Sequence, residues 1–340
     1  MENSSQSLVD FWGVITESKR IINAHSRHFL ALSVLFLLPL SFSLSVFPTL
    51  LHTFTSSAPN HIVSLLRFSN SEKPPIILHP SLLLPHHKTL IFSLFFFSFI
   101  LFFFLLAVSS ITSSVFHGFY GRPVKLFSAV SSVVRSFFPL LITFITAQIV
   151  IFVIFSLFGV FSYVGFKGIQ LIVRDFTYNS PHFYGISSFG AVLLGLILVY
   201  VGVNWILVNV IVVVESKWGF ESLNRSKDLI RGMKWVALSL IVFFGFFLIV
   251  LLWISIVSGS DPAVPMDGLN TWLFVVQIVA TSAVFTLLLL HGIAASTVLY
   301  MYCRALHGEL AGEIAHEFAS EYLSLPYDDK KVPHVVCYVY

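Results

Sequence analysis

The sequence predicts an all-α polytopic membrane protein, and three observations carry that prediction. Hydrophobic residues make up 57% of the 340 residues and charged residues 10%, and the mean hydropathy is +0.91. A soluble domain has about 25% charged residues, so this chain lacks the polar surface that water requires. Six long apolar segments contain no charged residue, and the basic residues between them are unevenly distributed. We therefore expect six transmembrane helices, with three amphipathic helices at the cytosolic membrane surface.

Each apolar segment is long enough to cross a bilayer, which takes about 20 residues in a helix. The segments are Phe29–Leu51, Thr89–Ile111, Phe137–Phe161, Ser188–Val214, Trp235–Val257 and Trp272–Tyr300. In the first segment we expect Pro39 to kink the helix and Pro48 to mark its exit from the membrane. Residues 1–304 are thus predicted to form one transmembrane domain, and residues 305–340 a cytosolic tail.

The stretches outside the membrane differ in charge. Counted from the N-terminus, the odd-numbered stretches contain 14 Lys and Arg residues and the even-numbered ones contain 5. The positive-inside rule therefore predicts that both termini are cytosolic, in an endomembrane or the plasma membrane. The apolar run begins only at Phe29 and is about twice as long as the core of a signal peptide, so we expect the first crossing to remain as an anchor.

Three cytosolic stretches have apolar residues at the spacing of an amphipathic helix. Their predicted apolar faces are Leu8, Phe11, Trp12, Ile15 and Ile22; Val124, Phe127, Val130 and Val134, after Pro123; and Phe220, Leu223, Ile230 and Met233. Such a face lies either on the membrane surface or against the transmembrane bundle. The stretches end alike, at Arg27, Arg135 and Arg231, which suggests three parallel repeats; the alternative is that positive-inside flanks resemble one another.

The third stretch is dense in basic residues. Arg225, Lys227 and Arg231 lie where headgroup phosphates are expected, and Trp235 lies where an aromatic belt is expected. We predict that these four residues contact lipid headgroups. The alternative is that the charges only fix the topology.

The polar residues within the crossings are uncharged. Besides Ser and Thr they are Gln148, Asn204, Asn209, Gln277 and His291. Such groups commonly form hydrogen bonds to neighbouring helices, each contributing about 0.6 kcal/mol. The alternative is that the amides line a path for a neutral solute. A carboxylate relay for protons is not expected, because no acidic residue lies within a crossing.

The sequence has no P-loop, dinucleotide-binding, Gly-x-Ser-x-Gly or His-Glu-x-x-His motif, so we expect no enzyme activity, cofactor or metal site. Two patterns point weakly the other way. The His-rich stretch from His52 to Lys88 has Glu72 as its only acid, and Glu313 and His316 form a single Glu-x-x-His pair where a di-iron site needs two. Cys303, at the membrane edge, is either a palmitoylation site or an inert thiol.

The stretch Glu221–Trp235, with the endings Leu299–Arg304 and Glu321–Leu325, resembles a family of plant multi-pass membrane proteins of unknown function. Some members of that family are labelled polyadenylate-binding-protein-binding proteins. The Arg-Ser-x-x-Leu-x-x-Gly-x-x-Trp element from Arg225 to Trp235 is also similar to the membrane domain of some bacterial glycerophosphodiester phosphodiesterases. The resemblance implies a fold, but no catalysis, because the chain lacks a soluble phosphodiesterase domain.

We expect a non-enzymatic membrane protein that organises lipids or partner proteins at the cytosolic membrane face. Membrane lipids are the expected partners, and a protein partner is expected to bind the cytosolic helices or the tail. The net charge of +3 is too small to predict direct nucleic-acid binding. The alternative function is a facilitator for a neutral or amphipathic solute, with Gln148, Asn204, Asn209 and Gln277 along its path.

Overall fold

A computed structural model describes residues 10–56, 83–121, 126–172, 181–259 and 268–309. The structure is 92% helical and its described residues contain no strand, which confirms the predicted all-α class. The α-helices are α1 (Phe11–Ala24), α2 (Ser26–Leu32), α3 (Leu38–Ser56), α4 (Leu83–Phe119), α5 (Leu126–Ile172), α6 (Pro181–Trp205), α7 (Val208–Val214), α8 (Phe220–Leu229), α9 (Lys234–Gly259) and α10 (Gly268–Leu306).

Six spans in the described part of the chain are long and apolar enough to cross a membrane, and each predicted crossing lies within one of them. They are Ser26–Leu51, Thr89–Phe119, Val130–Gly168, Gly185–Val214, Lys234–Val257 and Trp272–Leu306. Large apolar side chains such as Phe95, Phe152 and Trp253 are exposed on the outside of the bundle. An apolar surface of this extent is typical of a protein surrounded by lipid.

The first crossing is continuous through two prolines. A π-helical segment, Ser33–Leu37, joins α2 to α3 immediately before Pro39. The wider turn relieves the clash between a proline ring and the carbonyl group one turn earlier. The helix passes through Pro48 and continues to Ser56. The predicted exit from the membrane at Pro48 stays a prediction. Membrane helices tolerate such prolines because neighbouring groups satisfy the freed backbone carbonyl.

The second predicted surface helix is not a separate element. Residues 126–137 are the first three turns of α5, a single helix of 47 residues that continues through Pro139. The predicted boundary rested on Arg135, but one arginine does not interrupt a helix, and residues 126–137 include no Gly or Pro. Val130 and Val134 are exposed on this helix, whereas Val124 and the side chain of Phe127 lie outside the described residues.

The other two predicted surface helices pack against the bundle. Helix α1 contacts α4, α9 and α10 and buries Val14, Ile21 and Ile22, while Trp12 is 69% exposed. Helix α8 contacts α5, α6, α7 and α10. Of its predicted apolar face, Leu223, Ile230 and Met233 are buried and Phe220 is exposed. The three-repeat hypothesis stays a prediction.

The centre of the bundle is α3, which packs against α4, α9 and α10. Two hydroxyl contacts join α3 to α10. Ser41 Oγ lies 2.6 Å from Thr286 Oγ1, and Ser45 Oγ lies 3.3 Å from Ser282 Oγ. Small hydroxyl residues allow membrane helices to approach closely and hold them by hydrogen bonds. Helices α5 and α6 lie at the periphery, where most of their residues are exposed.

One end of the bundle carries most of the basic residues, and we call it the basic face. It includes Arg27 at the start of α2, Arg135 in the first turns of α5, Arg225 within α8 and Arg304 near the end of α10. His28, at the start of the first crossing, lies 2.9 Å from Ser114 at the end of the second. The basic face is the end that the charge distribution predicts to be cytosolic.

Candidate functional site

The fourth crossing is broken where it approaches the basic face. Helix α6 ends at Trp205 and α7 begins at Val208. At the break, Ser226 of α8 donates its hydroxyl hydrogen to the backbone carbonyl of Asn204, with 2.6 Å between the oxygens. The side-chain amide of Asn204 donates to the carbonyl of Tyr200, one turn earlier, at 2.8 Å. A freed backbone group inside a membrane protein needs such a partner.

A tight turn then directs the chain across the basic face into α8. Ser216 and Gly219 both have positive φ, 56° and 63°. This conformation is natural for Gly and strained for most other residues. The Gly219 N–H donates to Thr143 Oγ1 at 2.9 Å, and Ser222 Oγ donates to the Gly219 carbonyl at 2.8 Å. The start of helix α8 is thereby fixed to α5 through Gly219, the residue that precedes it.

Ionic contacts hold α8 to the ends of α7 and α10. The Arg225 guanidinium donates to the Glu215 carboxylate, with Nε 3.3 Å from Oε2, and also to the Glu309 carboxylate. Tyr300 donates its hydroxyl hydrogen to Glu215 Oε1 at 2.9 Å. Arg304 lies with Nε 3.6 Å from Glu309 Oε2 and its guanidinium 5.7 Å from the centre of the Tyr300 ring. We call these five residues the charge cluster.

The contacts in the charge cluster favour the ionised forms of Arg225 and Glu309. The hydrogen bond with Glu309 raises the pKa of Arg225 above its ordinary value, against the effect of burial and with help from Glu215. Burial alone would raise the pKa of Glu309, but Arg225, Arg304 and His307 outweigh burial and lower it. Charge-assisted hydrogen bonds of this kind are stronger than neutral ones.

Sequence reasoning missed most of the charge cluster. Arg304 entered the prediction of topology only as one of the counted basic residues, and Glu309 was assigned no functional role. Glu215 was overlooked, although it is an acid directly after a crossing without charges. An acid at that position, opposite a basic stretch, is the signal that points to an ion pair.

The structure separates the four residues predicted to contact lipid headgroups. Arg225 is engaged by two carboxylates, so its charge is largely balanced within the protein. Lys227, Arg231 and Trp235 are exposed, and Trp235 has 81% of its surface accessible. Arg231 Nη2 lies 3.9 Å from Asp228 Oδ1, and both side chains are exposed. Three of the four residues therefore remain candidates for headgroup contact.

The five polar residues predicted within the crossings do not come together. Asn204 is buried at the break in the fourth crossing, and Gln148 is exposed on α5. Gln277 is half-buried, and its backbone carbonyl accepts a hydrogen bond from Thr281. His291 Nδ1 lies 2.8 Å from the Leu287 carbonyl, one turn earlier in α10. Asn209, just after the break, faces a cavity.

That cavity, which we call the apolar cleft, has a volume of about 320 Å³ and lies among α4, α7, α9 and α10. Its wall is mainly hydrocarbon, and it includes Phe104, Val108, Phe244, Leu248, Leu289 and Ile293. Gly245 and Gly292 also line the cleft and leave space where side chains would stand. Asn209 and Thr112 add polar groups, and Thr112 Oγ1 has no hydrogen-bond partner among the described residues.

The thiol of Cys303 is buried, with its sulfur 3.7 Å from that of Met233. In this position it is not accessible to an acylating enzyme, which favours the inert thiol over palmitoylation. No group of three or more His, Cys, Asp or Glu residues that could hold a metal ion occurs among the described residues. Residues 57–82 of the His-rich stretch, the Glu313–His316 pair and the tail beyond Glu309 lie outside the described residues.

The fold and these sites define an all-α polytopic membrane protein whose basic face is closed by a short helix fixed by ionic contacts. The chain belongs to the family described as Domain of unknown function (DUF8558), whose model matches residues 1–329. Comparison with curated proteins found no match, and comparison with solved structures found none either. The resemblance to the plant family and to the bacterial membrane domain stays a prediction.

Proposed function

We propose that this protein is a non-enzymatic membrane protein that binds and organises lipid at its basic face. The observation that carries this proposal is the apolar cleft, because its hydrocarbon wall suits an acyl chain. A volume of about 320 Å³ lies at the lower end of the range for ligand pockets, roughly 300–1,000 Å³. The exposed side-chain amide of Asn209 gives the cleft a polar point that can orient a ligand.

The exposed charges of the basic face support the same proposal. Lys227 and Arg231 are exposed at the end of α8, and Lys234 begins α9. Each basic residue near an anionic leaflet contributes about 1 kcal/mol to membrane attraction. Trp235 is exposed next to them, as is usual for an indole at the membrane–water interface.

The alternative, a facilitator for a neutral or amphipathic solute, has less support. It needs the four amides to follow one path, but only Asn209 lines the apolar cleft. Asn204 donates its side-chain amide to Tyr200 at the helix break and does not line the apolar cleft, and Gln148 is exposed on α5. A protein partner for the tail stays a prediction, since the tail beyond Glu309 lies outside the described residues.

Filling the apolar cleft tests the proposal. Gly245 lines the cleft and a Cβ atom added there meets no atom within 4 Å, so Gly245→Leu should place a side chain in the cleft. Gly159→Leu is the matched control, because Gly159 has equally open surroundings and does not line the cleft. We expect native mass spectrometry of the purified protein to show less co-purified lipid for Gly245→Leu only.

Equal lipid retention in the two variants and the wild type would contradict the proposal. Saturable solute flux in proteoliposomes, abolished by Asn209→Leu, would instead support the facilitator. A stable protein without flux, and with lipid retained in a cleft-dependent way, would support lipid binding.

A further inference from the structure

A second cavity, of about 320 Å³, opens at the basic face where α4 ends, α5 begins and α7 ends. Its wall differs from that of the apolar cleft, because most of its lining residues are polar. They are Ser113 and His117 of α4, Ser131, Ser132, Arg135 and Ser136 of α5, and Ser216 after α7. We call this cavity the serine–arginine pocket. It lies beside α5, whereas the apolar cleft lies beside α9 and α10.

The charge in the serine–arginine pocket is positive. No Asp or Glu is among its lining residues in the described part of the chain, and Arg135 has no ion-pair partner among the described residues. Glu215, which directly precedes the lining residue Ser216, has its carboxylate against Arg225, Tyr300 and Lys217. The charge cluster thus occupies this carboxylate with partners other than Arg135.

The α5 residues of the pocket form a single surface by their spacing. Ser131 and Ser132 are followed one helical turn later by Arg135 and Ser136, so the four side chains lie on adjoining faces of one helix. Across the pocket, Ser216 holds a positive φ of 56°. Backbone strain at a non-glycine residue is found most often at binding and catalytic sites.

We propose that the serine–arginine pocket binds a phosphate group. Hydroxyl donors combined with a guanidinium are the groups that recognise phosphate, since Arg offers two parallel donors and Ser adds single ones. The pocket is at the end of the crossings, the level at which a phospholipid carries its phosphate. An anionic lipid headgroup and free phosphate share this chemistry, and the proposed lipid-binding function favours the headgroup.

The test measures binding of short-chain phosphatidic acid, and separately of inorganic phosphate, to the purified protein in neutral detergent. We expect Arg135→Gln to weaken phosphatidic acid binding by about tenfold or more, because charge-assisted hydrogen bonds are lost. Lys167→Gln removes one positive charge from the opposite end of α5, where the side chain is exposed, and should change binding by less than about twofold. Ser132→Leu fills the pocket while Arg135 is kept, and should weaken binding as well.

Competition between inorganic phosphate and phosphatidic acid distinguishes a lipid headgroup from free phosphate as the ligand. Retained phosphatidic acid binding in excess inorganic phosphate, with loss in Arg135→Gln, assigns the pocket to a lipid headgroup. Displacement by inorganic phosphate, with binding of phosphate alone that Arg135→Gln abolishes, assigns it to the free anion. Unchanged binding of both probes in Arg135→Gln and Ser132→Leu overturns the phosphate site.

Gly245→Leu in the same assay separates this inference from the proposed function. If Gly245→Leu leaves lipid retention unchanged while Arg135→Gln loses phosphatidic acid, the apolar cleft is not a lipid site but the phosphate pocket stands. If only Gly245→Leu loses lipid, the proposed function stands without the phosphate pocket.

Discussion

Replacing Arg225 by Gln should destabilise the protein by about 2 kcal/mol. Removing one partner of a fully buried ion pair costs about 3–5 kcal/mol, and an exposed pair contributes about 0.2–1 kcal/mol. The Arg225 side chain is 25% exposed and that of Glu215 is 15% exposed, which places this pair between the two limits. Tyr300 and Lys217 still contact Glu215 after the change, and Arg304 still lies near Glu309, so solvent and these neighbours reduce the loss.

The free energy of unfolding can be measured by titration with sodium dodecyl sulfate in mixed micelles, followed by circular dichroism. A loss of about 2 kcal/mol changes the folding equilibrium roughly 30-fold, which such a titration resolves. Arg231→Gln is the matched control, because it removes the same charge from a pair whose side chains are 72% and 64% exposed. Its expected cost is below about 0.5 kcal/mol. Arg225→Lys should not restore full stability, because an ammonium cannot reproduce the guanidinium fork.

A double-mutant cycle between Arg225 and Glu309 separates their contact from other effects. We expect Glu309→Gln and Arg225→Gln together to cost less than the sum of the two single changes, by about 1 kcal/mol. An additive pair of changes, or an Arg225→Gln variant as stable as Arg231→Gln, would refute the conclusion that the charge cluster fixes α8 to the bundle.

Four further results are expected. The pKa of Glu309 is lowered in the folded state, so the stability that its charge contributes is complete above the ordinary glutamate range and is lost as the pH falls through the lowered value. The difference in the free energy of unfolding between the wild type and Glu309→Gln should therefore shrink in acid. A difference that stays constant with pH would contradict this. Gly232 has φ 94°, and a Cβ atom there would lie 3.1 Å from Leu306. Gly232→Val should therefore lower the free energy of unfolding by about 2 kcal/mol or more in the same titration, whereas Gly245→Ala should lower it little. Lys227→Gln with Arg231→Gln should weaken binding to anionic vesicles without lowering stability, and unchanged binding would reduce these residues to topology signals. Tags at residues 1 and 340 should both be cytosolic and a sequon engineered near residue 71 should be glycosylated; a lumenal tag would show that the charge distribution misled the topology.

The crossings could be predicted from the sequence because one large quantity determines them, the free energy of transferring an apolar segment from water to lipid. A segment such as Trp235–Val257 contains no charged residue, and its transfer to lipid depends on composition summed over about 20 positions. The helix ends were less predictable, because they depend on single contacts. Helix α5 continues past Arg135 since nothing terminates it, and the break after Trp205 is stabilised by Ser226, which lies 22 residues beyond Asn204 in the chain.

The candidate sites were less predictable than the fold because they depend on which residues meet. The polar residues within the crossings were found from the sequence, but only Asn209 lines the apolar cleft. The residues of the serine–arginine pocket come from three helix ends that are spread along the chain from Ser113 to Ser216, and serines are common in this chain. No periodicity within one helix identifies such a set. The pairing of Glu215 with Arg225 across a turn is the part that a search for acids beside crossings would have found.

The element from Arg225 to Trp235 is explained almost entirely by the fold. Arg225 joins the ends of α7 and α10, and Ser226 satisfies the carbonyl freed by the break in the fourth crossing. Leu229 is buried, and Gly232 supplies the positive φ that turns the chain into α9. Since these roles concern the closing of the basic face, chains that share the element should share this turn without sharing a ligand. Differences in ligand among such chains should therefore lie outside the element, in the apolar cleft and in the serine–arginine pocket.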